Sequence, residues 1–294
     1  MKRNLHLLFA LVSLAAAGAL PGCAYMNQWA WRNRPYADRA PCQFPYDLPQ
    51  DELVAHLNAN TLQSWRSTSI TIASREHISG LSGMLAVESP RNFRLIASSA
   101  FGGEVDFGSN NERFWFWTRR SEQKGIFTAR HDQAAHALER FPIPFQPDWL
   151  MEVLGVVPLN AADLSLEPGS PARSPVRLVN LVSRRTSPQG DQVTKVTVVD
   201  TCHGVIREHA LYDATGRIMA RAILRGHFQD EITRKVLPSA IDLEWPRTNV
   251  HLTLRFRDIE VNPAAIAPQT WALPAIPNTP VIDLEPELAR VHEG

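Results

Sequence analysis

The stretch "ERFWFWTRR", Glu112–Arg120, sets four aromatic residues in a row between charged neighbours. On a strand, Phe114 and Phe116 point one way and Trp115 and Trp117 the other, because successive side chains alternate between faces. A sheet with one wet face has no use for such a segment. Apolar cover is required on both sides, and the surrounding chain has to supply it.

Outward from this segment the period stays at two. Before it lie "SITIAS", "GMLAVES", "NFRLIASS" and "EVDFGS", and after it "GIFTARH", separated by Gly80, Pro90, Gly102–Gly103, Asn110–Asn111 and Gly125. Short strands with turn residues between them indicate an antiparallel meander. The run breaks at "HDQAAHALERFPIPFQPDWLMEVLGVVP", which suggests a short helix over Gln133–Arg140 and a second opening at Pro147–Asp148. Strands then resume with "VRLVNLVSRR", "QVTKVTVVD", "VIREHALYD", "RIMARAILRGHFQ", "SAIDLEWP" and "VHLTLRFRDIEV". One face of the fourth of these carries Ile218, Ala220, Ala222, Leu224 and Phe228, the other Arg217, Arg221 and Arg225. In the last, Leu252, Leu254 and Phe256 alternate with His251, Thr253, Arg255 and Arg257.

Roughly a dozen strands are too many for a flat sheet, and such a sheet curls. The expected fold is therefore mainly β: an incomplete antiparallel β-barrel, a strongly curved sheet with a few short helices as lid or plug. "DELVAHLNANTLQSWRS" reads as the lead helix, with Asp51 as its cap and Leu53, Leu57 and Trp65 on one apolar face.

The N-terminus has a different character. "MKRN" is basic, Leu5–Leu20 carries no charge, and "LPGC" follows. This is the outline of a secretory signal over residues 1–22, shorter than the ~18–20 apolar residues that a spanning helix needs. Leu20–Cys23 resembles the bacterial lipobox, although Pro21 is not the usual residue at its place. The resemblance makes Cys23 a lipidation site, where palmitate-type acyl chains anchor the protein, and Ala24 after it implies the outer membrane, facing the periplasm. Residues 23–50, rich in Pro, Trp and Tyr, read as a tether. Cys42 and Cys202 can form a disulfide in an oxidising compartment or stay apart, and the sequence leaves both open. With 30 basic and 30 acidic residues the chain shows no electrostatic footprint for nucleic acid.

"GLSGMLAVESPRNFRLIASSAFGGEVDFGSNNERFWFW", behind a lead helix, and the interruption "FPIPFQPDWLMEVLG" resemble the LolA/LolB-like superfamily of lipoprotein sorting factors, in an uncharacterised lipoprotein branch. The resemblance covers residues 51–263 and leaves 264–294 as a Pro-rich C-terminal tail. It implies a half-barrel around an acyl-chain cavity, with helices as lid. On that reading the cavity is lined by Phe93, Leu95, Phe107, Phe114, Phe116, Leu224, Leu252, Leu254 and Phe256. One parity is chosen per strand, and a one-residue slip would invert it. The other aromatic pair of "FWFW" then packs under the lead helix or an adjoining segment. Trp149 and Leu150 belong to the lid. Phe101, in "SAFGG", takes the place of the protruding apolar residue with which the membrane-anchored family member contacts the bilayer.

No catalytic residues, metal ligands or cofactor motif are expected. "GLSGM" lacks the last glycine of a nucleophile elbow, and the histidine pairs miss the His-Glu-x-x-His spacing. The scattered His and Asp residues read as solvated surface. Two non-enzymatic functions compete: a lipid-anchored binder of the acyl chains of lipids or lipoproteins, and a scaffold lipoprotein that docks a protein partner on the same fold. An empty apolar cleft of several hundred Å³ would favour the first, a filled interior the second.

Overall fold

The computed structural model describes residues 42–45, 47–74, 77–133, 147–171, 176–186 and 192–284. The first meander runs through β1 (Ser64–Ser74), β2 (His77–Glu88), β3 (Asn92–Ser99), β4 (Gly102–Ser109), β5 (Arg113–Thr118) and β6 (Ile126–Arg130). The second comprises β7 (Ser165–Pro168), β8 (Leu178–Thr186), β9 (Gln192–Asp200), β10 (Val205–Tyr212) and β11 (Ile218–Arg225). A small hairpin, β12 (Phe228–Gln229) with β13 (Val236–Leu237), precedes β14 (Ala240–Trp245), β15 (Val250–Phe256), β16 (Glu260–Val261) and β17 (Val281–Asp283). Two helices are described, α1 (Gln50–Ala59) and α2 (Pro147–Val153). Among the described residues no helix is long and apolar enough to cross a membrane.

All strands but the small hairpin form one 15-stranded sheet, in the order β17-β6-β5-β4-β3-β2-β1-β15-β14-β11-β10-β9-β8-β7, with β16 also beside β1. The meanders join where β15 returns to pair with β1, Ile70 opposite Phe256 and Ile72 opposite Leu254. The end strands do not meet, so the sheet is a mainly β, incomplete curved barrel.

Period-two alternation gives this sheet one apolar side. Leu95, Phe107, Phe116 and Phe127 stand opposite one another across β3 to β6. Leu224, Ile241, Leu254 and Ile72 do the same across β11, β14, β15 and β1. All eight belong to one buried cluster, and α2 adds Trp149, Leu150, Met151 and Val153 to it. Helix α1 packs Leu53, Val54 and Leu57 on Leu181 and Val199 in a second, smaller cluster.

Several expectations need correction. The lead helix stops at Ala59, so Trp65 lies in β1, where it joins the main cluster rather than the face of Leu53 and Leu57. Spacing of eight residues fits either element, and the pairing of Trp65 with Val87 and Val261 decides it. Asp51 is in the first turn, and the cap position is Pro49. Only the 3-10 turn His131–Gln133 is described of the helix expected over Gln133–Arg140, and the remainder lies outside the described residues. The C-terminal segment does not trail away. Its 3-10 turn, Pro268–Trp271, crosses β3, and β17 adds in parallel to the edge strand β6.

That segment answers the question of the four aromatics. Phe114 and Phe116 face the core. Trp115 points to the opposite face yet is fully buried, donating Nε1–H to Asp106 at 3.0 Å. Arg94 pairs with Asp106 at 2.7 Å, stacks over the indole at 5.9 Å, and donates to the Thr270 and Ala272 carbonyls at 3.0 and 3.3 Å. The C-terminal segment, not α1, is therefore tied down over this face. Trp117 is half-buried near Gly103. The Trp115 ring also lies over Gly108, where an added Cβ would come within 2.2 Å of it. Gly108→Ala is expected to cost ~1–3 kcal/mol by overpacking, measured as a lower denaturation midpoint, whereas the same change at Gly216, with nothing within 4 Å of a Cβ, meets only backbone strain.

Candidate functional site

The candidate site is the concave side of the sheet. Strand parity brings Phe93, Leu95, Phe107, Phe114, Phe116, Leu224, Leu254 and Phe256 into the main cluster, with Leu252 half-buried against it. Phe93 meets Phe107 edge to face at 5.0 Å, and Phe107 meets Phe116 at 5.9 Å. Trp149 and Leu150 of α2 lie in the same buried cluster. Sequence reasoning missed Trp65, Ile70, Ile72, Phe127 and Trp245, which share this interior. The alternation of Ile241, Leu243 and Trp245 carried the signal for the last.

The interior is filled. Among the described residues a cavity of about 70 Å³ is bounded by Leu57 of α1, Val153 and Leu154 at the end of α2, and Leu224 and Ile241 of the sheet, with His209 and His227 also in its wall. A pocket that holds a small molecule is typically ~300–1,000 Å³, so this cavity is too small for an acyl chain while α2 is in place. A larger depression, about 440 Å³, lies where β1 bulges between Ser67 and Ile70. Its wall is mixed, with Thr68, Ser69, Ser82 and Arg257 beside Ile70, Met84 and Ile96.

Helix α2 is held unevenly. Its C-terminal end is fixed by Trp65 Nε1–H to the Leu154 carbonyl at 2.9 Å, Leu62 N–H to the Gly155 carbonyl at 2.9 Å, and the Lys195–Glu152 ion pair at 2.5 Å. Gly155, with φ +73°, turns the chain there, a conformation that favours glycine. At its start, among the described residues, the exposed pair Arg91–Asp148 at 3.1 Å ties it, and an exposed pair contributes ~1 kcal/mol or less.

Phe101 is 86% exposed. It is not folded back on the core. The turn that carries it is well braced: Phe101 N–H donates to Ser99 Oγ at 3.1 Å, and Arg119 donates to the Phe101 carbonyl at 2.8 Å. Arg91, at the start of α2's polar tie, and Phe101 sit at opposite ends of β3, roughly 25 Å apart by strand rise. Cys23 lies outside the described residues.

Cys42 and Cys202 are joined by a disulfide. Beside it the expectation of solvated His and Asp residues fails: Asp200, His203, His209 and His227 are all buried. Burial pushes the Asp200 carboxyl up, but hydrogen bonds from Arg207 at 2.6 Å and His203 at 2.9 Å outweigh it and hold the group below the usual range. His209 follows Thr197 and precedes Ala222 and Leu243 in one cross-strand row, so it faces the concave side. Desolvation and Lys195 lower its pKa to about 3, and desolvation and Arg207 lower that of His227 to about 4. Asp200, Cys202 and His203 place ligand-type atoms within 4.8 Å of one another. With Cys202 in the disulfide, the thiolate that a metal would need is not there.

No family model matches this sequence, and no curated protein matches it. Solved structures do. A domain assigned to outer membrane lipoprotein sorting, from Vibrio parahaemolyticus, superposes with a TM-score of 0.50 at 9% identity, over 74% of this chain and 94% of that one. The chain shares its fold with that domain. A DUF1329 family protein from Desulfovibrio piger gives a TM-score of 0.47 at 10% identity, covering 76% and 95% of the two chains. A LolA superfamily protein from Nitrosomonas europaea gives 0.45 at 10% identity, covering 77% and 99%. The sorting-domain fold matches the order of elements that "GLSGMLAVES…FWFW" and "FPIPFQPDWLMEVLG" carry.

Proposed function

We propose that this protein is a cell-envelope lipoprotein, anchored through acylated Cys23 in the outer membrane, that takes an acyl chain of a lipid or lipoprotein into its concave face when α2 moves aside. The observation that carries the proposal is the closure of the concave side. Among the described residues, a continuous apolar wall spanning both meanders is covered by the seven-residue helix α2 rather than by a second sheet. The shared fold with a sorting domain supports the reading.

The exchange is near balance. Exposing the four apolar side chains of α2 costs ~6–12 kcal/mol, at ~1.5–3 kcal/mol each. A palmitoyl-length chain buried in their place returns ~0.8 kcal/mol per CH₂, on the order of 12 kcal/mol. Binding without such a chain has no driving force, and the empty protein stays shut. Phe101, held out at the far end of β3, is suited to touch the bilayer during uptake or delivery.

One observation favours the second reading, a scaffold that docks a protein partner: the filled interior, with its cavity of only about 70 Å³. Hydrogen exchange separates the two. Adding phospholipid is expected to change the protection of the Leu154 and Val156 amides, which donate to Leu150 and Met151, while those of β5 stay fixed. Unchanged exchange across α2 at saturating lipid would leave the scaffold.

A further inference from the structure

Trp149, on α2, and Trp245, at the end of β14, meet edge to face with ring centroids 6.4 Å apart. Both are buried in the main cluster. An indole has one polar hydrogen, and it can only donate. In both rings Nε1 is sealed from solvent and has no acceptor among the described residues. Trp65 and Trp115, in the same sheet, each use theirs, on the Leu154 carbonyl and on Asp106. A buried tryptophan normally finds an acceptor, and a buried donor without one calls for an explanation. These two meet where α2 touches the sheet, the contact that has to open for a chain to enter.

The surroundings define the missing acceptor. Leu150, Met151 and Val153 of α2 belong with Trp149 to the buried apolar cluster, as does Leu243, two residues before Trp245 on the same face. A charged headgroup brought into this buried apolar cluster would lose its hydration, whereas a neutral carbonyl oxygen is desolvated at far lower cost and made whole by an N–H. An acyl ester is such a group, a neutral carbonyl at the root of an alkyl chain, and a diacyl lipid carries two on neighbouring glycerol carbons.

We infer that Trp149 and Trp245 donate their indole N–H groups to the ester carbonyls of a bound diacyl lipid or diacylglyceryl lipoprotein. The inference rests on the proposed acyl-chain binding and narrows it to esters. Trp245 holds its carbonyl from the wall, and Trp149 closes on the other as α2 returns.

The test uses the full-length protein, extracted from the membrane, in native mass spectrometry with dipalmitoyl phosphatidylglycerol and its dihexadecyl ether counterpart in competition. The two share headgroup and chain length, and only the ester has carbonyls. The ester should be favoured about tenfold, as expected for two neutral hydrogen bonds. Trp149→Phe combined with Trp245→Phe keeps the ring packing and should erase the preference. Equal binding of ester and ether to the unaltered protein would overturn the inference and leave acyl-chain binding standing. A preference that survives in the double variant would overturn the assignment to these two side chains. Binding of neither lipid would remove the acyl-chain reading, and this inference with it.

Discussion

Replacing Cys42 and Cys202 with serine is expected to cost the fold up to about 5 kcal/mol, the chain-entropy value for a closed loop of this length. The bridge spans 160 residues of sequence, and it fixes the segment that precedes α1. Beside it Gln43 N–H donates to the Cys202 carbonyl at 2.7 Å, Arg177 donates to the Phe44 carbonyl at 2.5 Å, Phe44 meets His56 edge to face at 4.7 Å, and Leu48 is buried in the smaller core. Urea denaturation of the double serine variant should show a midpoint far below that of the oxidised protein, and dithiothreitol should bring the unaltered protein down to match it. A loss under about 1 kcal/mol would show that the attachment does not depend on the covalent bond.

Acid should unfold the protein from the same corner. His209 and His227 titrate in the fold at about 3 and about 4, against 6.5 in the unfolded chain. Both are depressed, so the unfolded state takes up protons that the folded state refuses. Stability is complete above pH 6.5 and falls as the pH drops toward 4, by ~1.4 kcal/mol per pH unit for each histidine once well below 6.5. Together they contribute a loss on the order of 5 kcal/mol by pH 4. The depressed carboxylates Asp200, Asp242 and Asp258 act in the same direction, but only as the pH passes below their unfolded value of 3.8. Denaturation midpoints at pH 7, 6, 5 and 4 should fall steeply, and His227→Gln should remove about half of the slope. A flat profile from pH 7 to 4 would mean that the two imidazoles reach water in the fold.

How legible all this was in the sequence depends on where each signal resides. Alternation is local, so β3, β5, β11 and β15 could be laid out with the correct inward face before any partner was known. Leu95, Phe107 and Phe116 then fell into one row because each strand had been given the right parity. What depends on distant cover was not legible. His209 is polar and sits in a strand, so it reads as surface until α1, the β12–β13 hairpin and α2 are placed around it. The C-terminal segment has no period and many prolines, and its place shows only through distant partners, Arg94, Asn110 and the edge of β6 among them. The partners of Trp65 lie in β2 and β16, one of them nearly two hundred residues away. The size of the cavity was the least accessible, since it depends on how completely Trp149, Leu150 and Met151 fill a space that the alternation only outlines.

The proposal turns on whether the concave face ever holds an alkyl chain. The direct measurement is the mass of the native protein, gently extracted from its own membrane and freed of detergent in the gas phase. The account predicts an added mass in the lipid range, beyond that of the Cys23 anchor, lost when Phe114 and Phe116 are replaced by polar residues in a chain that still folds. A clean unliganded mass, unchanged after incubation with phospholipid and with acylated peptide, would contradict it. The aromatic wall would then be core alone, and the fold a platform for protein partners.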